Sequence, residues 1–312
     1  MYNSLQKERY ISDKESDTIL AEGFLDRIFN KSESFEEELQ KDICQFTTSE
    51  ILDFYKVLNV RSLDSLLNYH SQYLSYGSWC MQQSLIPDGI NHFNELNLDI
   101  LKNCVNKAAM EDSIITEEQL YEILSKLINP RDQFVLIMLF ETGKSTNQEN
   151  IFYAKLSDIN EETKTMKLHD GREVNISYRL IGIAENAAKD SYYEIYNPSP
   201  NAPSPRRPLE DNGYIFKDTT SARSSDVVQR MNRLNRSMST ALKYLGYKKS
   251  WTKLNTFAES GIIHEIKKLQ TETSKTAEQV LRNPDLRKQI NNQHNAKINS
   301  VPNILRKYEG IL

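Results

Sequence analysis

One uncharged run dominates the hydrophobic pattern. Residues 134–140 are apolar without interruption, which predicts an apolar helix with no charge inside it. Glu141, Thr142 and Gly143 close it, since glycine just past a helix end adopts left-handed backbone without a Cβ penalty. A shorter helical piece is expected over 148–154, with a strand beginning near Ile159.

Upstream, residues 1–46 read as amphipathic helix with an acidic run, Glu36-Glu37-Glu38, and suggest a helical arm that faces a partner. Thr48-Ser49-Glu50 opens a helix with a hydroxyl to cap its free amides. Ser62 caps the next one, whose stripe is Leu63, Leu66, Leu67, Tyr73 and Trp79, and Pro87-Asp88-Gly89 ends it. On this pattern His70 is an ordinary surface position. Residues 90–113 read as a linker. Thr116 and Gln119 then form a capping-box pattern at the start of a new helix.

Past Ile159, two short strands flank Asp170-Gly171, a hairpin signal. Residues 191–213 are rich in Pro, Ser and Asn and read as loop, followed by a short strand over 214–216. A long amphipathic helix follows, with Ser225 as its expected cap and Gly246 at its end. Its apolar stripe is Val227, Met231, Leu234, Met238, Leu242 and Leu245, and Arg230, Arg233, Arg236 and Lys243 fan across the rest.

Length and composition narrow the class. A chain of 312 residues with only 10 glycines suits a mainly helical, two-domain protein. No apolar run is long enough to span a membrane, and the polar N-terminus is neither a signal peptide nor a lipidation site, so a cytoplasmic protein is expected. Cys44, Cys80 and Cys104 are far apart and the histidines are scattered, so neither a metal site nor a cofactor is expected. Charge is uneven. Residues 201–312 hold 20 Lys+Arg against 10 Asp+Glu, whereas residues 1–115 hold 10 against 19. A basic C-terminal part implies an anionic partner there, or a solvated helical surface facing the acidic half.

The order apolar helix, Thr142-Gly143, polar turn, helix, then Leu156-Ser157-Asp158-Ile159 resembles the first signature box of the tyrosine recombinases, the phage integrases. Residues 48–87 resemble that family's core-binding domain, and 115–127 resemble the first helix of its catalytic domain. Arg172-Glu173-Val174-Asn175-Ile176 resembles the strand after its hairpin lysine, for which Lys167 is the nearest candidate. Asn255-Thr256-Phe257-Ala258 and residues 277–290 resemble its second box and the segment after it.

The resemblance implies a mainly α fold with a small antiparallel β-sheet in a two-domain architecture. A helical core-binding domain would occupy 1–110 and an integrase catalytic-like domain 111–312. It also implies double-stranded DNA as partner. The candidate contacts are Lys144, Lys167, Arg172, Arg223, Arg230, Arg233, Arg236, Lys243, Lys248, Lys249 and Lys253.

The catalytic letters differ. The slot of the family's first arginine falls on Ser145 or Thr146. Those of its first His, its second Arg and its second His fall on Trp251, Leu254 and Asn255. The later Gly-His becomes Arg282-Asn283, and the nucleophilic tyrosine's slot lies near Asn292. A hydroxyl cannot replace a permanently charged, bidentate guanidinium on a phosphoryl group. The expectation is therefore a non-cutting, operator-binding transcriptional repressor that maintains lysogeny, similar to the integrase-like repressors of SPβ-like prophages. Tyr308 is then an ordinary surface or tail residue. Two other readings stand beside it: an active recombinase with a rearranged site using Tyr308, and a protein-interaction scaffold. The acidic N-terminal part suits a regulatory protein partner.

Overall fold

Aromatic side chains organise the first 111 residues. The computed structural model describes residues 1–15, 23–197, 204–220, 226–296, 298, 301–308 and 311–312. It divides into two units, Met1–Glu111 with Arg306–Gly310, and Asp112–Leu305 with Ile311–Leu312. The first unit contains α1 (Ser4–Glu15), α2 (Phe24–Phe29), α3 (Glu33–Leu39), α4 (Thr48–Leu58), α5 (Leu63–Gln82), α6 (Leu98–Lys102) and α7 (Lys107–Glu111). Tyr10, Phe29, Phe54, Tyr73 and Tyr76 form a buried aromatic cluster, with edge-on rings 4.8–6.3 Å apart, a favoured geometry for such pairs.

Several local expectations change here. Thr47, one residue before the expected start, caps α4 in a complete capping box with Glu50, while Ser62 caps α5 as its position implies. The described residues among the first 46 are not a free arm. Lys7 is fully buried and donates to both oxygens of Glu36 at 2.5 and 2.6 Å. Ser32 and the Ile43 amide complete that carboxylate's partners, so only Glu37 and Glu38 of the acidic run face solvent. Residues 90–113 are not a linker, because Phe93, Leu96, Leu101 and Cys104 belong to the same core. His70 is buried, with Nδ1 3.0 Å from the Tyr55 hydroxyl, and burial lowers its pKa.

The second unit contains α8 (Glu117–Lys126), α9 (Pro130–Thr142), α10 (Glu149–Phe152), β1 (Ile159–Asn160), β2 (Thr165–Lys167), β3 (Glu173–Asn175), α11 (Tyr178–Lys189), β4 (Tyr192–Glu194), β5 (Arg206–Pro208), α12 (Val227–Tyr244), α13 (Leu254–Thr273), α14 (Ala277–Arg282) and α15 (Pro284–His294). A last helix, α16 (Val301–Lys307), follows. The uncharged run is the middle of α9, and all of residues 134–140 are buried. Helices α11 and α13 pack on it. Gly261 is needed at the α13 contact, since a Cβ there would collide with the Phe140 carbonyl.

Strands β1, β2 and β3 form an antiparallel sheet in that order, with Met166 opposite Val174 on its buried face. Helix α11 went unassigned in the sequence, although Ser177 caps it and Leu180, Ile181, Ala184 and Ala187 bury one face. The Pro- and Ser-rich segment is not all loop, because β4 and β5 pair within it. Residues 214–216 are irregular rather than a strand: Ile215 is buried and its amide bonds the Ala154 carbonyl at 2.9 Å. Asp226 caps α12, and Ser225 lies outside the described residues. The chain is thus mainly helical with small antiparallel sheets and a two-domain layout. Among the described residues, no helix is long and apolar enough to cross a membrane, and no group of acidic, His or Cys side chains is placed to hold a metal.

Candidate nucleic-acid interface

Helix α12 sets the geometry. Its buried stripe, Leu234, Met238, Ala241 and Leu242, fixes which arginines turn outward. Arg230, Arg233 and Arg236 are three residues apart, and each such step turns about 60° short of a full turn. Exposure rises along the series from buried through half-buried to exposed. Arg230 is therefore internal. Its Nε donates to Asp218 at 2.7 Å and its guanidinium lies 4.3 Å from the Phe152 ring centroid. This departs from the outward fan expected of it.

Arg233 and Arg236 line a cavity of about 310 Å³ together with Arg131, Arg207, Tyr193 and Asp218. Arg131, at the start of α9, is 6% exposed and lies over the Tyr193 ring at 4.2 Å. One of its nitrogens donates to the Lys217 carbonyl at 3.0 Å, but its Nε, 3.5 Å from Asp132, makes no hydrogen bond. Four guanidinium groups around one concavity, one of them with a spare donor, suit an oxyanion such as a phosphate.

A second basic concavity holds Lys155 and Lys167 beside Tyr153, His169, Tyr214 and Asp158. Lys155 lies over the Tyr214 ring at 5.3 Å, and the Tyr153 and His169 rings are 4.7 Å apart. Arg230 is close to a residue of each concavity, pairing with Asp218 of the first and lying 5.8 Å from the Tyr153 ring centroid of the second. Cations interleaved with aromatic faces match how nucleic-acid backbones and bases are held.

The remaining candidates scatter. Lys144, Lys243, Lys249 and Lys253 are exposed. Lys248 pairs with Asp112 and lies 4.2 Å from the Trp251 ring centroid. Arg172 is not a surface donor: it pairs with Asp170 and donates to the carbonyls of Thr142, Asn292 and Gln293 at 2.8–3.1 Å. Arg223 lies outside the described residues. Arg131, Arg207 and Lys155 were missed in the sequence, where each sits far from α12.

The slots that depart from the integrase pattern have structural occupants. Gly143 has φ +73° and ψ −163°, a region even more restricted to glycine than the left-handed one expected, and a Cβ there would collide with the His294 carbonyl. Ser145 is buried, and its Oγ accepts from the Asn150 amide at 3.1 Å. The turn is lengthened by Asn147 and Gln148, both at positive φ. Leu254 is in the core, and Trp251 donates to the Asp112 carbonyl. Asn283 caps α15, accepting from the amides of Asp285 and Leu286. Asn292 donates to the Glu173 carbonyl at 3.0 Å. Tyr308, expected at the surface, is 2% exposed.

Two family models match the chain: residues 1–82 fit the one described as "MrpR, N-terminal core-binding domain", and residues 114–309 the one described as "MrpR, C-terminal catalytic domain". A curated relative, the SPbeta prophage-derived uncharacterized protein YopR of Bacillus subtilis (strain 168), is 24% identical over 236 residues, covering 72% of this chain and 70% of the relative.

Proposed function

The chain belongs to the MrpR family, an integrase-like two-domain family, and from that premise we propose that it binds double-stranded DNA at operator sites as a prophage transcriptional repressor that maintains lysogeny and does not cut strands. The observation that carries the reading is the pair of basic concavities, one lined by Arg131, Arg207, Arg233 and Arg236 and the other by Lys155 and Lys167, beside a C-terminal part, residues 201–312, in which Lys and Arg outnumber Asp and Glu. The prophage-derived relative supports a prophage setting, and the cytoplasm is the compartment that the proposed role requires.

The occupants of the catalytic slots support the absence of cleavage. Tyrosine attack on a phosphodiester needs several cationic donors in place at once, and removing one donor typically costs about 10²–10³ in rate. Here Ser145, Leu254 and Asn283 serve as a turn ligand, a core residue and a helix cap. Tyr308 is buried rather than presented. The exposed acidic residues of the first unit, such as Glu37 and Glu38, favour a regulatory protein partner over phosphate on that surface.

Two measurements test this. Mobility shifts on duplex DNA should weaken steeply as salt rises, because phosphate contacts release counterions; absence of any shift at low salt would sink the DNA reading. A suicide substrate containing the bound site should yield no covalent adduct. A denaturant-resistant adduct that disappears in Tyr308→Phe would put a recombinase in place of the repressor.

A further inference from the structure

A cavity of about 270 Å³ in the second unit has the opposite chemistry. Its walls are α8, the end of α9, β3 with Ile176 and Ser177, and α13 and α15. Carboxylates face it from three helices: Glu117, Glu141 and Glu265. Glu141 accepts from the Ser177 amide at 2.8 Å and hydroxyl at 2.5 Å. Glu265 accepts from Gln289 at 3.1 Å and lies 3.8 Å from Lys268.

The wall also holds His294, which is 4% exposed and whose Nδ1 has no hydrogen-bond partner. A buried ring nitrogen left unpaired is costly, and native structures rarely leave one without a reason. Burial, together with the charges of Arg172, His264 and Lys268, pushes this imidazole down to about 3, so it is neutral. A neutral imidazole with its proton on Nε2 offers an acceptor lone pair at Nδ1.

We propose that this cavity binds a small organic cation through a primary ammonium group, held by the carboxylates of Glu141 and Glu265 and by Nδ1 of His294. The charge balance selects the class. Three carboxylates against the single lysine Lys268 repel an anion, and an apolar ligand would leave His294 unpaired. At roughly 30 Å³ per water, the space equals about nine waters, which suits a diamine or an amino-acid amide. Such an ammonium comes either from a free amine or from the amino terminus of a short peptide.

Burial pushes Glu141 up to about 7. Protonated Glu141 loses its attraction for an ammonium, so binding weakens as pH falls through that value. The titratable and charged groups facing it are Glu117 and Tyr121 from α8, His264, Glu265 and Lys268 from α13, and His294 from α15.

The test is calorimetric titration of the full chain at pH 8 and pH 6. The probes are putrescine, glycinamide and triglycine amide, with sodium acetate as the anionic control. Saturable binding by one amine, weakened at least tenfold in Glu141→Gln and in His294→Leu and weaker at pH 6, is the expected result. Melting curves confirm that each variant is folded, and Glu265→Gln serves if Glu141→Gln is not. Binding by triglycine amide but not putrescine would support the proposal with a peptide terminus as source; the reverse would support it with a free amine. No saturable binding by any amine, binding unmoved by folded variants, or binding of acetate instead would overturn it.

Discussion

The second unit has two concavities of similar size, about 310 and 270 Å³, and opposite charge. In both, a charged group of the wall already has partners within the chain: Arg131 with the Lys217 carbonyl in the first, and Glu141 with Ser177 in the second. Arg236 in the first and Lys268 in the second are exposed. Burial and charge together, rather than charge alone, separate side chains that hold the fold from side chains that meet a partner.

The largest expected effect comes from breaking the wall of the acidic cavity. Gly143→Glu forces a side chain into glycine-only backbone and against His294. Strain and collision together should cost about 4 kcal/mol or more, read as a lower urea midpoint. An unchanged midpoint would mean that α9 does not end there.

Next is the contrast along α12. Arg230→Ala leaves Asp218 without its partner in a poorly solvated site and should cost about 3 kcal/mol of stability. Arg236→Ala should stay within about 0.5 kcal/mol. Equal losses in the two variants would erase the distinction drawn between them.

The pH dependence of stability sharpens the acidic side. Burial raises the folded pKa of Glu141 to about 7, above the ordinary glutamate value of 4.5. Its stabilising contribution is complete below that value and is lost as pH rises through 7. The full shift is discounted for solvent at the cavity mouth, which leaves on the order of 2 kcal/mol. His294 is lowered from 6.5 to about 3. Its contribution is present above 6.5 and lost as pH falls toward 3. Stability of Glu141→Gln should therefore no longer fall between pH 5 and pH 8, while the loss toward pH 3 persists. A variant whose curve matches the wild type would show that Glu141 is not the group titrating.

The smallest effects on stability belong to the basic side. Arg236→Ala and Lys167→Ala should each weaken specific and non-specific DNA alike. Each should also lower the slope of log affinity against log salt by about one. A loss of affinity confined to one sequence would make either residue a base reader instead.

How far the sequence carries follows from the same division. An uninterrupted apolar run located α9, and period located α5 and α12, because each of these signals is local in sequence. Period put Arg233 and Arg236 together on one helix but could not set Arg230 apart, since the outcome depends on Asp218 and Phe152, which arrive from other segments. Arg131 hides at the start of an apolar helix and Arg207 in a Pro-rich stretch, so neither stands out before the chain folds. The acidic cavity draws on residues 117 to 294, a separation that no window spans. Helix α11 was legible in its cap and its 180, 181, 184, 187 spacing, yet the neighbouring hairpin masked it.

One modest contact has a further consequence. Strand β3 is an outer strand of the three-stranded sheet, and the Gln293 side chain both accepts from the Asn175 amide at 3.1 Å and donates to its carbonyl at 2.7 Å. A carboxamide thus imitates one residue of a neighbouring strand, and Asn292 occupies the Glu173 carbonyl beside it. Unsatisfied outer strands recruit strands from other molecules and so lead to aggregation. Here a helix closes that edge with two side chains, which lets a short, three-residue strand end a sheet without inviting a second chain to extend it.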